Sequence, residues 1–221
     1  IGMIVLIKYG ELLKNFEYMK TKHYNSNQIV CGCDEAGRGA LAGPVIASAV
    51  ILPKNFIHKD LNDSKKISAK KRSQLSKIIK NKSLFWAIGS VNASEIDKIN
   101  ILNASIKAMH IAIGKIIKKM NTLPELLLID GNRFKEFKNI NYKCIIKGDS
   151  KYCSIAAASI LAKTHRDQLM RELDKKYPQY NWKNNKGYPT QQHKQKILEI
   201  GPNKYHRKSF KTINPQYALQ F

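Results

Sequence analysis

Val30-Cys31-Gly32-Cys33-Asp34-Glu35-Ala36-Gly37-Arg38-Gly39-Ala40-Leu41-Ala42-Gly43 is the stretch on which the reading of this chain turns. A β-prone approach runs into two adjacent carboxylates. The chain then breaks into a glycine-rich segment that holds one arginine. Neighbouring residues on a strand point to opposite faces, so Asp34 and Glu35 can share a ligand only if the strand ends there and the backbone turns. Gly37, Gly39 and Gly43 are read as supplying that turn. Arg38 offers a forked donor suited to phosphate or another oxygen-rich group. An Asp-Glu pair by itself is most often two solvated carboxylates at a strand end, so the rest of the chain has to decide.

Working outward, the first strand spans Gln28 to Asp34. Pro44 to Leu52 is a second, almost continuously apolar, as expected of a strand buried on both faces. Leu84 to Asn92 is a third, with Phe85 and Trp86 read as core. Glu125 to Asp130 and Tyr142 to Ile146 are the fourth and fifth. The fourth repeats the opening grammar: Leu126-Leu127-Leu128-Ile129, then Asp130-Gly131-Asn132. Lys147-Gly148-Asp149 follows the fifth. A strand-ending Asp-Gly is a turn in most proteins, yet functional groups of open α/β sheets do gather at strand ends.

Helices fall between the strands. Ser68 caps one that runs to about Lys80, carrying Lys70, Lys71, Arg72, Lys77 and Lys80 as a basic face. Ser94, with Asp97 three residues on, caps a short helix. Leu102, Ile106, Met109, Ile113, Ile116 and Ile117 then keep helical spacing to about Asn121. Ser154 to Tyr177 is a long helix stopped by Pro178. Beyond it, Trp182, Gly187 and Tyr188 read as a polar loop, and Thr190 caps a last helix to Ile200. The result is an α/β chain in three parts: an extension over 1–27 with a short helix over 11–19, a core over 28–177, and a C-terminal helical extension and tail over 178–221.

Composition narrows the partners. Lys and Arg number 39 against 16 Asp and Glu, a formal net charge of +23, while hydrophobic residues make up 43%. A chain this apolar and this long buries a core. Such a positive excess attracts a polyanion through counterion release. An anionic membrane surface would also answer to it, as would a Lys- and Asn-rich genome with no functional meaning. Cys31, Cys33, Cys144 and Cys153 lack zinc spacing and suit a reduced, cytoplasmic protein. No run is long enough to span a membrane. The opening residues lack a basic leader and cleavage site, so a secretory signal is not expected. Met3 and Met19 are both candidate native starts.

Asp34, Glu35, Asp130 and Asp149 thus stand at or just past strand ends. Brought together, four carboxylates repel unless cations neutralise them. Oxygen-only ligands select hard ions such as Mg²⁺ or Mn²⁺. Two such ions about 3.5–4 Å apart activate water and stabilise the leaving oxygen of a phosphodiester. With a basic surface around them, the residues point to a metal-dependent nuclease or another phosphoryl-transfer enzyme.

The chain resembles the type 2 ribonuclease H family, and within it ribonuclease HII, over about residues 28–210. The resemblance rests on Asp34-Glu35-Ala36-Gly37-Arg38-Gly39 with Leu41-Ala42-Gly43-Pro44-Val45, on Asp63-Ser64-Lys65-Lys66, and on Asp130-Gly131-Asn132. It continues through Lys147-Gly148-Asp149 with Ile155 to Lys163 and Arg166-Asp167, Gly187-Tyr188-Pro189-Thr190 with His193, and His206-Arg207-Lys208-Ser209-Phe210. It implies a ribonuclease H-like mixed β-sheet flanked by helices, with Asp34, Glu35, Asp130 and Asp149 as catalytic metal ligands. It implies that Gly37-Arg38-Gly39 contacts the ribose 2′-hydroxyl through backbone groups, that Tyr188 stacks on the neighbouring sugar, and that Lys65 meets backbone phosphate. The 2′-hydroxyl is what separates RNA from DNA at a site.

The implied reaction is hydrolysis of the RNA strand in RNA–DNA hybrids. Incision 5′ of ribonucleotides embedded in duplex DNA is implied as well, leaving 3′-hydroxyl and 5′-phosphate ends with Mn²⁺ or Mg²⁺ as cofactor. A monomer that binds no membrane is expected. His110, His165, His193 and His206 are read as packing or surface residues. The stretch before Gln28 is too short for the extra N-terminal domain of the related ribonuclease HIII. A DNA nuclease or resolvase of the same fold would share the acidic cluster without a 2′-hydroxyl reader. A non-catalytic nucleic-acid binder would share only the charge.

Overall fold

The computed structural model describes residues 21–24, 27–61 and 67–210. The expected helix over 11–19, the Asp63-Ser64-Lys65-Lys66 segment and the tail beyond Phe210 lie outside the described residues. Five strands, β1 (Val30–Ala36), β2 (Val45–Ile51), β3 (Phe85–Val91), β4 (Leu126–Asp130) and β5 (Tyr142–Ile145), form one sheet in the order β3-β2-β1-β4-β5. β1 runs antiparallel to β2, and β2 to β3. β1 runs parallel to β4, and β4 to β5. The expected mixed sheet is therefore present. Parallel pairing brings the carboxyl ends of β1, β4 and β5 to one edge.

The helices are α1 (Ala69–Lys82), α2 (Ala93–Met120), α3 (Cys153–Lys176), α4 (Trp182–Asn185) and α5 (Gln191–Ile200). Burial of apolar side chains on both sheet faces drives the assembly. Cys31, Cys33, Ala47, Ala49, Leu127 and Ile129 join Ala108, Ala112, Ile113 and Ile116 of α2 on one face. Val50 meets Leu75 and Ile79 of α1 and Ala157 and Leu161 of α3 on the other. Gly32 sets how closely α3 approaches: a Cβ there would lie 2.3 Å from the Ser154 carbonyl carbon. No described helix is long and apolar enough to cross a membrane.

Several expectations need correcting. The side chain of Asn92, not Ser94, caps α2 by accepting from Glu95 N–H at 2.9 Å. Asp97 is used elsewhere, accepting from Lys208 and Ser209 N–H at 3.0 and 2.9 Å and so tying that segment to α2. A break at Asn100 (φ 64°) separates the short helix from the long one, and its side chain recaps the second by accepting from Asn103 N–H. Arg72 is not part of an open basic face. It is buried and donates to Asp167 at 3.3 Å.

Trp86 packs against the core yet reaches the surface of the edge strand β3. The Lys80 and Lys119 ammonium groups lie 4.9 and 5.6 Å from its ring centroid. Trp182 is no loop residue. It opens α4, is 0% exposed, and anchors a third apolar cluster with Leu41, Ala42, Met170, Tyr180 and Ile197. Through that cluster the C-terminal extension packs directly on the glycine-rich loop after β1.

Candidate active site

β1 does not stop at its carboxylates. It pairs with β2 through Glu35↔Ala47 and Ala36↔Ile46, whereas pairing with β4 ends at Cys33↔Ile129. The two carboxylates consequently leave opposite faces of one strand, contrary to the expectation that the strand ends at Asp34 and the backbone turns there. Asp34 lies on the α3 side, where it is held by the Ser159 hydroxyl of α3 and the Glu35 N–H. Glu35 lies on the α2 side, beside Leu102, Ser105, Ile106 and Met109. Both reach the same cleft because the neighbouring strand β4 has already ended at Asp130.

That cleft, about 550 Å³, is lined by Asp34, Glu35, Gly37, Arg38, Gly39, Asp130, Asp149, Ser159, Lys163 and Tyr188 among others. All four candidate carboxylates are thus gathered, as are four of the five candidate substrate contacts. Lys65 lies outside the described residues. Asp130 accepts from the Gly148 N–H at 2.7 Å, which places the turn carrying Asp149 against the end of β4. Asp149 sits in the short 3₁₀ turn Gly148–Ser150 and is 8% exposed.

The electrostatics are those of like charges held together without enough neutralisation. Burial, then the charges of Glu35 and Asp130, push the Asp34 carboxyl well above the usual carboxylate range against the Ser159 hydroxyl and Glu35 amide. Burial and Asp130 also raise Glu35, against the pull of Arg38. Arg38 bonds Glu35 at 3.2 Å and is half exposed, so its side chain is engaged with a carboxylate. Among the described residues, no three carboxylate, histidine or cysteine side chains already converge closely enough to hold an ion. The donor set is nonetheless right for a hard divalent ion: carboxylate oxygens only, raised proton affinity at Asp34 and Glu35, one guanidinium in attendance.

Two buried arginines fix the glycine-rich loop, and their role was not evident from the sequence. Arg207 is 0% exposed. It donates to the carbonyls of Gly37 (2.7 Å), Arg38 (2.8 Å) and Gly43 (3.0 and 3.1 Å). Arg166 donates to the carbonyls of Ala42, Pro44 and Lys186 at 2.9–3.1 Å. Gly37 (φ 95°) has no room for a side chain, since a Cβ would lie 2.0 Å from Arg166 Nε. Gly39 lies in the expected turn, which the Ala40 N–H closes on the Gly37 carbonyl at 3.4 Å, but it does not need a glycine's backbone angles. Its φ is not positive, and an added Cβ meets nothing within 4 Å, so its part is an open surface facing the cleft.

Tyr188 is held from two sides. The Lys163 and Arg166 cations lie 5.7 and 5.3 Å from its ring centroid. Its carbonyl is bonded by His193, whose tautomer follows from the network. Trp182 Nε1–H donates to His193 Nε2 at 3.0 Å, so Nδ1 carries the proton and donates to Tyr188 at 2.9 Å. His206 Nε2 lies 3.3 Å from the same acceptor nitrogen. Burial lowers both histidines, His206 to about 4. They are packing residues, as expected, with a positioning role that their sequence spacing did not reveal. His110 is likewise packed, stacked on Phe137 at 4.5 Å.

The sequence profile of the family described as Ribonuclease HII matches residues 31–213. A ribonuclease HII of Parabacteroides distasonis is 52% identical over 203 residues, 92% of this chain and all of that protein. The chain belongs to the ribonuclease HII family. Members are hydrolytic nucleases that cut the RNA strand of RNA–DNA hybrids. Two solved structures share the fold. The ribonuclease H2 of Pyrococcus horikoshii has a TM-score of 0.70 at 22% identity, covering 86% of this chain and 97% of that one. A ribonuclease HIII, Bst-RNase HIII, solved in complex with Mn²⁺, has a TM-score of 0.71 at 17% identity, covering 88% and 72%.

Proposed function

We propose that this ribonuclease HII is a metal-dependent endonuclease that cuts the RNA strand of hybrids and incises 5′ of a ribonucleotide embedded in duplex DNA. The reading rests on one observation. Asp34, Glu35, Asp130 and Asp149 line the same cleft as the Gly37–Gly39 loop and Tyr188.

The four carboxylates would hold Mg²⁺ or Mn²⁺, and the raised proton affinity of Asp34 and Glu35 supports a site built to receive positive charge. The Mn²⁺ complex of Bst-RNase HIII lends support from the same fold. Divalent ions bound there supply an activated water and stabilisation of the departing oxygen. Water attacks phosphorus and the 3′ oxygen leaves, giving 3′-hydroxyl and 5′-phosphate ends.

The rest is positioning. Arg207 holds the carbonyls of Gly37 and Arg38 and so fixes the backbone that is proposed to meet the 2′-hydroxyl. Gly39, with open space where a Cβ would be, lets the ribose come close to the backbone. The Tyr188 ring, backed by Arg166 and Lys163, forms a platform for the adjacent sugar. Lys65 is assigned to backbone phosphate by its motif alone. Residues 28–177 are proposed as the catalytic core, and 178–221 as an extension that props the glycine loop and Tyr188. The protein is proposed to act as a cytoplasmic monomer, with four free thiols in keeping with a reducing compartment.

Asp130→Asn tests the assignment. Cleavage should fall by several orders of magnitude while hybrid affinity in chelator is retained. Full activity would overturn it, and equal cutting of all-DNA duplex would overturn the 2′-hydroxyl reader.

A further inference from the structure

The carboxylate cleft does not end at Asp130. A shallow saddle of about 20 Å³ shares Glu35, Arg38 and Asp130 with it and carries on over Asn132 and Arg133. Beyond the saddle the surface opens into a second hollow of about 460 Å³. Its walls are Leu102 and Ile106 of α2, Asn132 to Lys135 of the loop after β4, and Tyr142 and Cys144 of β5. The three depressions share lining residues and form one path, from the side of Tyr188 past the carboxyl end of β4 to the face between α2 and β5.

The chemistry of this hollow is distinct from that of the cleft. Its floor is aromatic and braced. Phe134 meets Tyr142 edge-on at 5.2 Å and His110 at 5.1 Å, and His110 stacks on Phe137. His110 also bonds the Lys135 carbonyl at 2.9 Å, which fixes the loop over α2. Tyr142 is 40% exposed although it belongs to a strand. The rim is cationic: Arg133 and Lys135 are exposed, and across 131–143 the bases Arg133, Lys135, Lys138 and Lys143 face a single acid, Glu136. Among the described residues no ion pair engages Arg133 or Lys135. A half-exposed ring between free cations suits a nucleic-acid strand, with a base on the ring and phosphates on the rim.

We infer that the Phe134–Tyr142 hollow with Arg133 and Lys135 is a subsite for the cut strand, holding nucleotides on the side of the scissile phosphate away from Tyr188. This rests on the proposed function for the direction of the strand. The occupant follows from continuity with the carboxylate cleft and from charge complementarity. The saddle, at about 20 Å³, is too small to seat a nucleotide and serves as the passage for the backbone. Gripping the strand on both sides of the carboxylates would hold the phosphate in line, the arrangement that positioning catalysis requires.

The test compares wild type with Arg133→Ala/Tyr142→Ala, and with Arg133→Lys/Tyr142→Phe as the conservative pair. The probe is a labelled DNA duplex with one ribonucleotide, and equilibrium affinity is measured in chelator, so that the readout is independent of cleavage. Both side chains are exposed, and Lys135→Ala provides a second variant should the double replacement disturb the β5 edge. The alanine pair should weaken binding of the full duplex by about tenfold, and the conservative pair should restore most of it. Trimming the cut strand from one end only should abolish the difference between wild type and variant. No loss of affinity in either alanine variant would overturn the subsite. So would a loss that persists on every trimmed cut strand, or that disappears only when the complementary strand is trimmed. If wild type binds with this length dependence yet cuts nothing with Mg²⁺ or Mn²⁺, the subsite stands and the proposed reaction falls.

Discussion

Arg207→Lys separates the charge of the buried guanidinium from its shape. Arg207 makes four bonds of 2.7–3.1 Å to three carbonyls, those of Gly37, Arg38 and Gly43. A guanidinium fork reaches three such acceptors from separate nitrogens, and an ammonium offers one compact point. Lysine therefore keeps the charge but gives up at least two of the bonds. Hydrogen bonds to charged groups contribute roughly 1.5–3 kcal/mol each, so the loss is about 3 kcal/mol or more. In a domain of this size, 1 kcal/mol moves the melting temperature by about 2–4 °C, and the variant should melt about 6–12 °C lower. It should still fold, since domains are stable by about 5–15 kcal/mol.

Activity should suffer more selectively than stability. The loop that Arg207 fixes is the proposed 2′-hydroxyl reader. Assayed well below the melting point, kcat/KM on a duplex with a single ribonucleotide should drop by at least about tenfold, a barrier increase of about 1.4 kcal/mol. Hybrid affinity in chelator should change little. Wild-type melting together with wild-type cleavage would refute the claim that this fork sets the loop. So would a lowered melting point with unchanged cleavage.

The carboxylates and histidines supply further predictions. Asp34→Asn should raise the melting temperature of metal-free protein at pH 8 and leave it unchanged near pH 3. With its native carboxyl raised, Asp34 favours the folded state below the unfolded-state value, and that stability is lost as pH climbs through the native one. The same variant should lose most of the stabilisation that Mg²⁺ gives wild type, read by thermal shift. His206 behaves oppositely, because its native value lies at about 4, below the usual 6.5. Its contribution is intact above about pH 6.5 and falls by about 3 kcal/mol as pH drops to 4. His206→Gln should flatten that acid limb in a series of melts against pH.

Much of the site is legible in the sequence because its residues sit at strand ends. An apolar run that stops at a carboxylate is a one-dimensional signal, and Asp34 and Asp130 carry it, while Asp149 follows its strand after Lys147 and Gly148. The strands are legible too, as short β-prone runs between capped helices, whereas the mixed order of the sheet was implied by the family resemblance alone. The exit of Asp34 and Glu35 on opposite faces was not. It depends on β1 running three residues past its last pair with β4 while staying paired with β2, a matter of register that no local pattern records.

Long-range partners were equally hidden. Arg207 acts on Gly37 across 170 residues, and Asp97 holds Ser209 across 112. In sequence the first belongs to a motif to which no role was attached and the second reads as a capping residue. Trp182 read as loop because its neighbours are polar. Its burial comes from a cluster assembled from the glycine loop, α3 and α5, which no helical period betrays in a four-residue helix.

The central claim is that four carboxylates and a ribose reader act in one cleft. It is tested most directly by incubating a labelled DNA duplex containing one ribonucleotide with the protein and Mg²⁺, Mn²⁺ or chelator, beside an all-DNA duplex. Incision only with metal, on the 5′ side of the ribonucleotide and with the all-DNA duplex intact, is the predicted result. Cutting in chelator, cutting of the all-DNA duplex, or no cutting of the ribonucleotide by folded protein would contradict it.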